Sequence, residues 1–402
     1  MRKVVFIGVN FPEKHATAAG WRIHQIIDVM KKANDEIYFL ATNEIKSEKD
    51  FENIKCINIQ LNSDSFDVLL KDINPKLVIF DRFITEEQYG WRVSAQCPDA
   101  IKILDTEDLH FLRKKREDLF LKSEISEKTK DVFKREIASI LRCDLSLIIS
   151  RYEYELLINK YKIDNSQLFY LPFLFDEKII ANKKDFSDRE NFMFIGNFLH
   201  EPNWQTVLIL KKIWSGIKRK LPQVELHIYG AYMPDKAMQL QDEKMGFLMK
   251  GQAIDIEKLF ETYRLMLAPI PYGAGLKGKL FESMIYGLPN ITTPIGAEGL
   301  YFNDLWHGFI SDSNEDFIDK SILLYQDEKL WYNKQKDGID ILKENFSISK
   351  YISIFLDRIS EIGNDVKGHR SSNYLIEVLQ HQTLQSTKYL SKWIAEKAKN
   401  KN

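Results

Sequence analysis

Residues 269–300 read PIPYGAGLKGKLFESMIYGLPNITTPIGAEGL and gather Gly273, Gly275 and Gly278 around Lys277 and Lys279. Glu282 follows one turn into the apolar run LFESMIYG. Glycines let backbone amides approach an anion without an intervening Cβ, and the exposed amides of a helix start favour negative charge. Lys277 and Lys279 add full charge where the helix dipole already points that way. The spacing is not that of a Walker loop, because Leu280 stands where a Ser or Thr is needed. A G-x-G-x-x-G pattern is formally present, but it does not follow the first strand, as a dinucleotide fingerprint should. Glu282 is placed to accept hydrogen bonds from ribose hydroxyls beside a bound phosphate; serving only as a dipole partner is its plainer role. A second concentration of ionisable groups, DTEDLHFLR, holds Asp105, Glu107, Asp108, His110 and Arg113. For His110 alone, a structural histidine in a loop or core is the plain alternative.

These groups need elements to hold them. In the first half, the runs at 3–8, 36–41, 54–59, 76–81, 101–108, 145–150 and 168–173 are short and almost wholly apolar. In the second, the same holds at 191–197, 224–230, 247–251, 265–270, 288–293 and 308–312. Segments of helical spacing such as GWRIHQIIDVMKKA separate them. Buried strands alternating with helices predict parallel sheets covered on both faces. Ligands of such sheets bind beyond the carboxyl ends of the strands, where both clusters fall. The pattern restarts near residue 191, so two doubly wound domains are expected rather than one large sheet. The boundaries fall at 1–172, 173–345 and, for C-terminal helices and a tail, 346–402. Pro172 and the charged stretch 176–191 form the link, and the segment 16–22 brings Gly20 to the head of the first helix.

Composition narrows the classes. With 44% apolar and 29% charged residues the chain is of ordinary globular type, and no run suits a membrane span. Its 57 basic and 58 acidic residues sum to −1, so no global field would gather nucleic acid. Cys56, Cys97 and Cys143 lack metal-ligand or disulfide spacing, which fits a reducing compartment. A soluble, cytoplasmic protein is expected. The last segment, from Ser371 onward, places Leu375, Leu379, Leu390, Trp393 and Ile394 on roughly one side of a helix and crowds lysines at its end. Packing on its own protein, pairing in a homodimer and lying on the inner face of a membrane all remain open for it.

The segment 271–300 resembles the nucleotide-sugar site of retaining glycosyltransferase family 4, within the glycosyl transferases group 1. MFIGNFLHEPNWQTVLIL, VELHIYG, MKGQAIDIEKLF and ILRCDLSLIISRYEYELL fall in the matching order. The likeness covers most of residues 1–345 and is strongest over 191–300. It implies an α/β fold of GT-B type: two Rossmann-like domains facing each other across a cleft. It also implies a glycosyltransferase of hexosyltransferase type, taking a UDP- or GDP-linked sugar to a glycan or glycoconjugate acceptor with retention. By the same resemblance Glu282 matches the second glutamate of a paired motif and holds the donor ribose. The first glutamate of that motif is replaced by Ala274, a departure beside the transferred sugar. Gly196, Asn197, Gly275, Leu276, Lys277, Gly278 and Lys279 would face the diphosphate, with Lys277 ranked above Lys279, which could lie on the outer face of its helix. Ile254 would fall near the base. On the acceptor side stand Gly20, Arg82 and Asp108, with Asp105, Glu107 and His110 lining the catalytic centre alongside Lys277.

No D-x-D, H-E-x-x-H, G-x-S-x-G or C-x-x-C occurs. The first absence argues against a magnesium-chelated diphosphate, so neither a metal nor a separate cofactor is expected. Two rival readings keep the donor site: a sugar-nucleotide epimerase, and a non-catalytic nucleotide-sugar or glycan-binding protein, the latter prompted by Ala274.

Overall fold

The computed structural model describes residues 1–13, 18–45, 51–121, 124–179 and 184–399. Ala16 and Thr17 of the segment 16–22, and residues 180–183 of the stretch 176–191, lie outside the described residues. The chain divides into two compact units. Unit 1 comprises Met1–Phe111, Ser126–Phe173 and Ser349–Asn402; unit 2 comprises Leu112–Ile125 and Leu174–Ile348.

In chain order the first elements are β1 (Lys3–Ile7), α1 (Ala18–Lys32), β2 (Glu36–Ala41), β3 (Lys55–Asn58), α2 (Ser65–Ile73), β4 (Leu77–Asp81) and α3 (Arg82–Gln96). Next come β5 (Ile101–Asp105), α4 (His110–Leu121), α5 (Glu127–Arg142), β6 (Leu145–Ile148), α6 (Arg151–Asn159) and β7 (Leu168–Tyr170). The middle of the chain forms β8 (Glu190–Ile195), α7 (Glu201–Lys220), β9 (Leu226–Tyr229), α8 (Asp235–Met238), β10 (Phe247–Gly251), α9 (Ile256–Thr262) and β11 (Tyr263–Ala268). After these stand α10 (Gly278–Ile285), β12 (Asn290–Thr292), α11 (Pro294–Ala297), β13 (Gly308–Ile310), α12 (Asn314–Gln326) and α13 (Glu328–Phe346). The chain closes with α14 (Ile348–Asn364), α15 (Val366–Ser372) and α16 (Leu375–Lys399).

Every apolar run singled out in the sequence overlaps one of these strands, β8 and β11 beginning one and two residues earlier than read. Unit 1 holds a sheet ordered β3-β2-β1-β4-β5-β6-β7, and unit 2 one ordered β10-β9-β8-β11-β12-β13, with parallel pairing throughout. Both are doubly wound, as expected of near-continuous apolar strands: all five residues of β4 and of β5 are buried. The strand order reverses between β1 and β4 in the first sheet and between β8 and β11 in the second. Reversals of this kind are where open α/β sheets bind their ligands, beyond the carboxyl ends of the strands. Helix starts follow local chemistry: Ser126, Asp255, Ser313 and Asp327 each accept the third-residue amide of the helix they open.

The C-terminal helices pack within unit 1. Arg370 of α15 grips Asp144 through Nε and Nη2 at 2.7 and 2.8 Å, and Phe355 of α14 lies against Phe169. α16 lies on unit 1 through one of its sides. The side it lays on α3 and α5 carries Ile376, Gln380 and Ser391, with Arg92 donating to Ser391 and Gln380 donating to the Arg142 carbonyl. Of the apolar side read from the sequence, Leu375, Leu390, Trp393 and Ile394 are exposed and Leu379 is half-buried. The Arg92 guanidinium and the Arg142 carbonyl, both in unit 1, take up Ser391 and Gln380 on the side of the helix that also buries Ile376.

Candidate active site

In unit 2 the β8/β11 switch point collects the glycine–lysine loop and the turn after β8. β11 ends at Ala268, and Thr292 and Thr293 pin its exit by donating to the carbonyls of Ala268 (2.8 Å) and Ile270 (2.5 Å). The loop then reaches Lys277, which has extended backbone and stands just before α10 with no side chain capping the helix start. Gly275 adopts φ +62°, the left-handed region that justifies a glycine there. Gly273 is a different case: a Cβ would stand 3.5 Å from Lys277 Cε, an ordinary contact. What holds Gly273 is Arg116 of α4, which donates to its carbonyl at 2.7 Å while making a two-pronged pair with Glu298 at 2.8 and 2.7 Å.

The two lysines divide the work differently from the sequence reading. Lys277 is buried and donates to the Gly275 carbonyl at 2.9 Å, bracing the loop. Lys279 does not lie on an outer face. Its Nζ sits 4.4 Å over the Phe194 ring and donates to Asn203 Oδ1 at 2.5 Å. Asn203 in turn donates to the Asn197 carbonyl at 2.8 Å, and Asn197 Oδ1 accepts from the Leu199 amide. One polar run therefore ties the head of α10 to the Gly196–Asn197 turn. The outer-face placement failed because the loop delivers residue 279 toward the β8 exit, where Phe194 and α7 wait. Gly230 keeps this turn narrow: a Cβ there would come within 2.1 Å of the Gly196 carbonyl.

Glu282 lies on the same helix, one turn beyond Lys279. Burial raises its carboxyl to about 7, an effect that the nearby Lys279 charge partly offsets. Burial likewise lowers Lys279 to about 7, against the pull of Glu282. The pair thus stands ready to exchange charge near neutral pH. Leu276 and Gly278 are buried in the loop, Ala274 is half-buried, and Ile254 stands fully exposed in the turn before α9.

Unit 1 presents a separate cluster at the ends of β4 and β5. Arg82 and Glu107, both non-glycine residues in the left-handed region (φ +71° and +58°), meet at 3.3 Å. Arg82 also pairs with Asp81 at 3.0 Å, and His110 Nε2 stands 3.3 Å from Asp108. Two backbones held off their preferred conformations at adjacent strand exits are the kind of strain found at working sites. Burial raises the Glu107 carboxyl well above its usual range; Arg82 opposes this, while Asp81, Asp105 and Asp108 add to it. Asp105 is completely buried and bound by Arg22 through Nε and Nη2 at 2.9 and 2.7 Å. Gly20 is buried in the first turn of α1. His110 opens α4 rather than lying in a loop. Its amide and that of Phe111 are taken by Glu136, and the amide of Leu109 by Glu153.

Asn203, Arg116, Glu136, Glu153 and Arg22 were missed by the sequence reading. Arg22, Arg116 and Asn203 stood near residues already singled out, but their partners Asp105, Gly273, Glu298 and Lys279 lie far away in sequence.

Among the described residues no group of three or more His, Cys, Asp or Glu side chains could hold a metal ion. Comparisons with known proteins bear on the geometry above. Residues 189–327 match the family model described as glycosyl transferases group 1. No protein of curated function matches the sequence. Among solved structures, an S. aureus TarM mutant in complex with fondaparinux, alpha-GlcNAc-glycerol and UDP aligns at 15% identity with a TM-score of 0.58. That alignment covers 73% of this chain and 58% of the TarM chain, so the present chain spans little more than half of that relative. A sucrose-phosphate synthase from Thermosynechococcus elongatus aligns at 14% identity and TM-score 0.70 over 90% of this chain and 98% of its own. Anabaena HepE in complex with UDP and glucose aligns at 12% and 0.69 over 90% and 100%. The chain thus has the α/β fold of GT-B type, two Rossmann-like units, and residues 189–327 carry the sequence character of the glycosyl transferases group 1.

Proposed function

We propose that this protein is a metal-independent glycosyltransferase of hexosyltransferase type. It would move a sugar from a UDP- or GDP-linked donor to a glycan or glycoconjugate acceptor with retention of configuration. The observation that carries the reading is the convergence at the β8/β11 switch point of Lys279, Asn203, the Gly196–Asn197 turn and Glu282. Anabaena HepE solved with UDP and glucose supports a uridine donor. In this proposal the diphosphate lies across the start of α10. Lys279, freed from Asn203, and Lys277 meet its charge, while Glu282 accepts from the ribose. The bond from the sugar C1 to the diphosphate oxygen breaks and one from C1 to the acceptor oxygen forms on the same face; the acceptor proton passes to the leaving phosphate. Donors already in place for the leaving charge lower the barrier by several kcal/mol. Glu107, His110 and Asp108 orient the acceptor, with Arg82 between Asp81 and Glu107, and Asp105 holds Arg22 behind them. The three cysteines, all unpaired, suit a cytoplasmic setting.

Calorimetric titration of the full chain with UDP, GDP and their sugars tests this. A nucleoside diphosphate should bind, and Lys279→Ala should weaken it about 10- to 100-fold, the worth of one charge-assisted hydrogen bond of about 1.5–3 kcal/mol. Failure of all these ligands to bind a folded chain would overturn the site. Ala274 favours one rival, a donor-binding protein without transferase activity. Binding without sugar transfer to any of a panel of glycan acceptors would select it.

A further inference from the structure

We propose that α16 carries a docking face for the surface of an anionic lipid bilayer. The proposal stands independently of the transferase reading. Tyr389, Leu390, Trp393 and Ile394 are 63, 57, 58 and 39% exposed. Tyr389 and Trp393 are one helical turn apart, as are Leu390 and Ile394, so the four form a single stripe. The helix is already seated on unit 1 through its other side, where Ser391 meets Arg92. Unit 1 therefore holds this stripe outward instead of burying it.

The composition around the stripe selects the occupant. Residues 386–402 contain five lysines and one glutamate, a net charge of +4 in a chain whose total is −1. Lys397 Nζ stands 4.8 Å over the Trp393 ring, which keeps positive charge at the aromatic edge. Tyr and Trp settle at the headgroup level of a bilayer, and basic residues beside an interfacial helix add attraction to anionic lipids. A second copy of the chain fits less well. A two-fold contact through this face would oppose two segments of the same positive charge, and four side chains fall far short of the roughly 800 Å² per partner of a stable dimer. No helix among the described residues is long and apolar enough to cross a membrane, so the contact is one of lying on the surface.

Sedimentation of the full-length protein with vesicles tests the proposal. Vesicles of phosphatidylcholine with phosphatidylglycerol should carry the protein down at low salt and release it as salt is raised; phosphatidylcholine alone should not. Leu390→Glu/Trp393→Glu should abolish the sedimentation. Lys392→Glu/Lys397→Glu, which changes only exposed charge, should weaken it by about tenfold or more. Circular dichroism and melting should match the parent in both cases. The proposal fails if the parent stays in solution with anionic vesicles, or if neither variant alters its binding. It also fails if light scattering shows a dimer that Leu390→Glu/Trp393→Glu splits.

Discussion

Lys279 and Glu282 are three residues apart on one short helix, and burial moves both toward neutrality from opposite sides, to about 7. A diphosphate at the head of α10 favours the protonated lysine, so above pH 7 its binding must draw a proton from solution. Below pH 7 the Glu282 carboxylate, needed as an acceptor for ribose, is increasingly protonated. Affinity for a nucleoside diphosphate should therefore peak near pH 7. It should fall on the alkaline side by up to about tenfold per pH unit, with proton uptake seen as buffer-dependent heat in calorimetry. Lys279→Ala should remove the alkaline limb and leave the acid one. At the other cluster, Arg22 and Asp105 are both buried and matched. Arg22→Met strands a carboxylate inside unit 1 and should lower unfolding stability by about 3–5 kcal/mol in urea titrations. Arg22→Met/Asp105→Leu should recover most of that loss.

At the scale of elements, the glycine–lysine loop is held from outside its own sequence. Arg116 of α4 clamps the Gly273 carbonyl and Glu298 together, and Phe120 of the same helix lies against Tyr272. A planar fork serves both partners at once, which a lysine ammonium cannot do in the same geometry. Arg116→Lys and Arg116→Gln should both raise the donor Kd several-fold, with hydrogen exchange quickening over 271–278 while the rest of unit 2 keeps its protection. A clamp of merely local stability would lower the melting temperature and leave the Kd alone. The sequence marked the loop and the strand before it, because glycine, lysine and apolar periodicity are local signals. It could not mark Arg116, whose partners are 157 and 182 residues away.

At the scale of the molecule, unit 1 is assembled from three separate stretches of chain. Arg370 satisfies the buried Asp144, and Phe355 and Tyr351 cover Phe169 and Tyr170 at the edge strand β7. Residues 1–173 expressed alone should consequently lack cooperative unfolding by circular dichroism. Rejoining residues 349–402 through a flexible linker should restore a single transition. The sequence by itself determined the thirteen strands of the described residues, their parallel winding into two sheets and the glycine-rich exit of β11, since each rests on residues close together in the chain. The tertiary structure alone decided which way Lys279 faces, what holds Gly273 and Asp105, and which side of α16 is left to solvent. Those outcomes depend on side chains brought together from distant segments, and on the requirement that a buried charge find its partner wherever the fold supplies one.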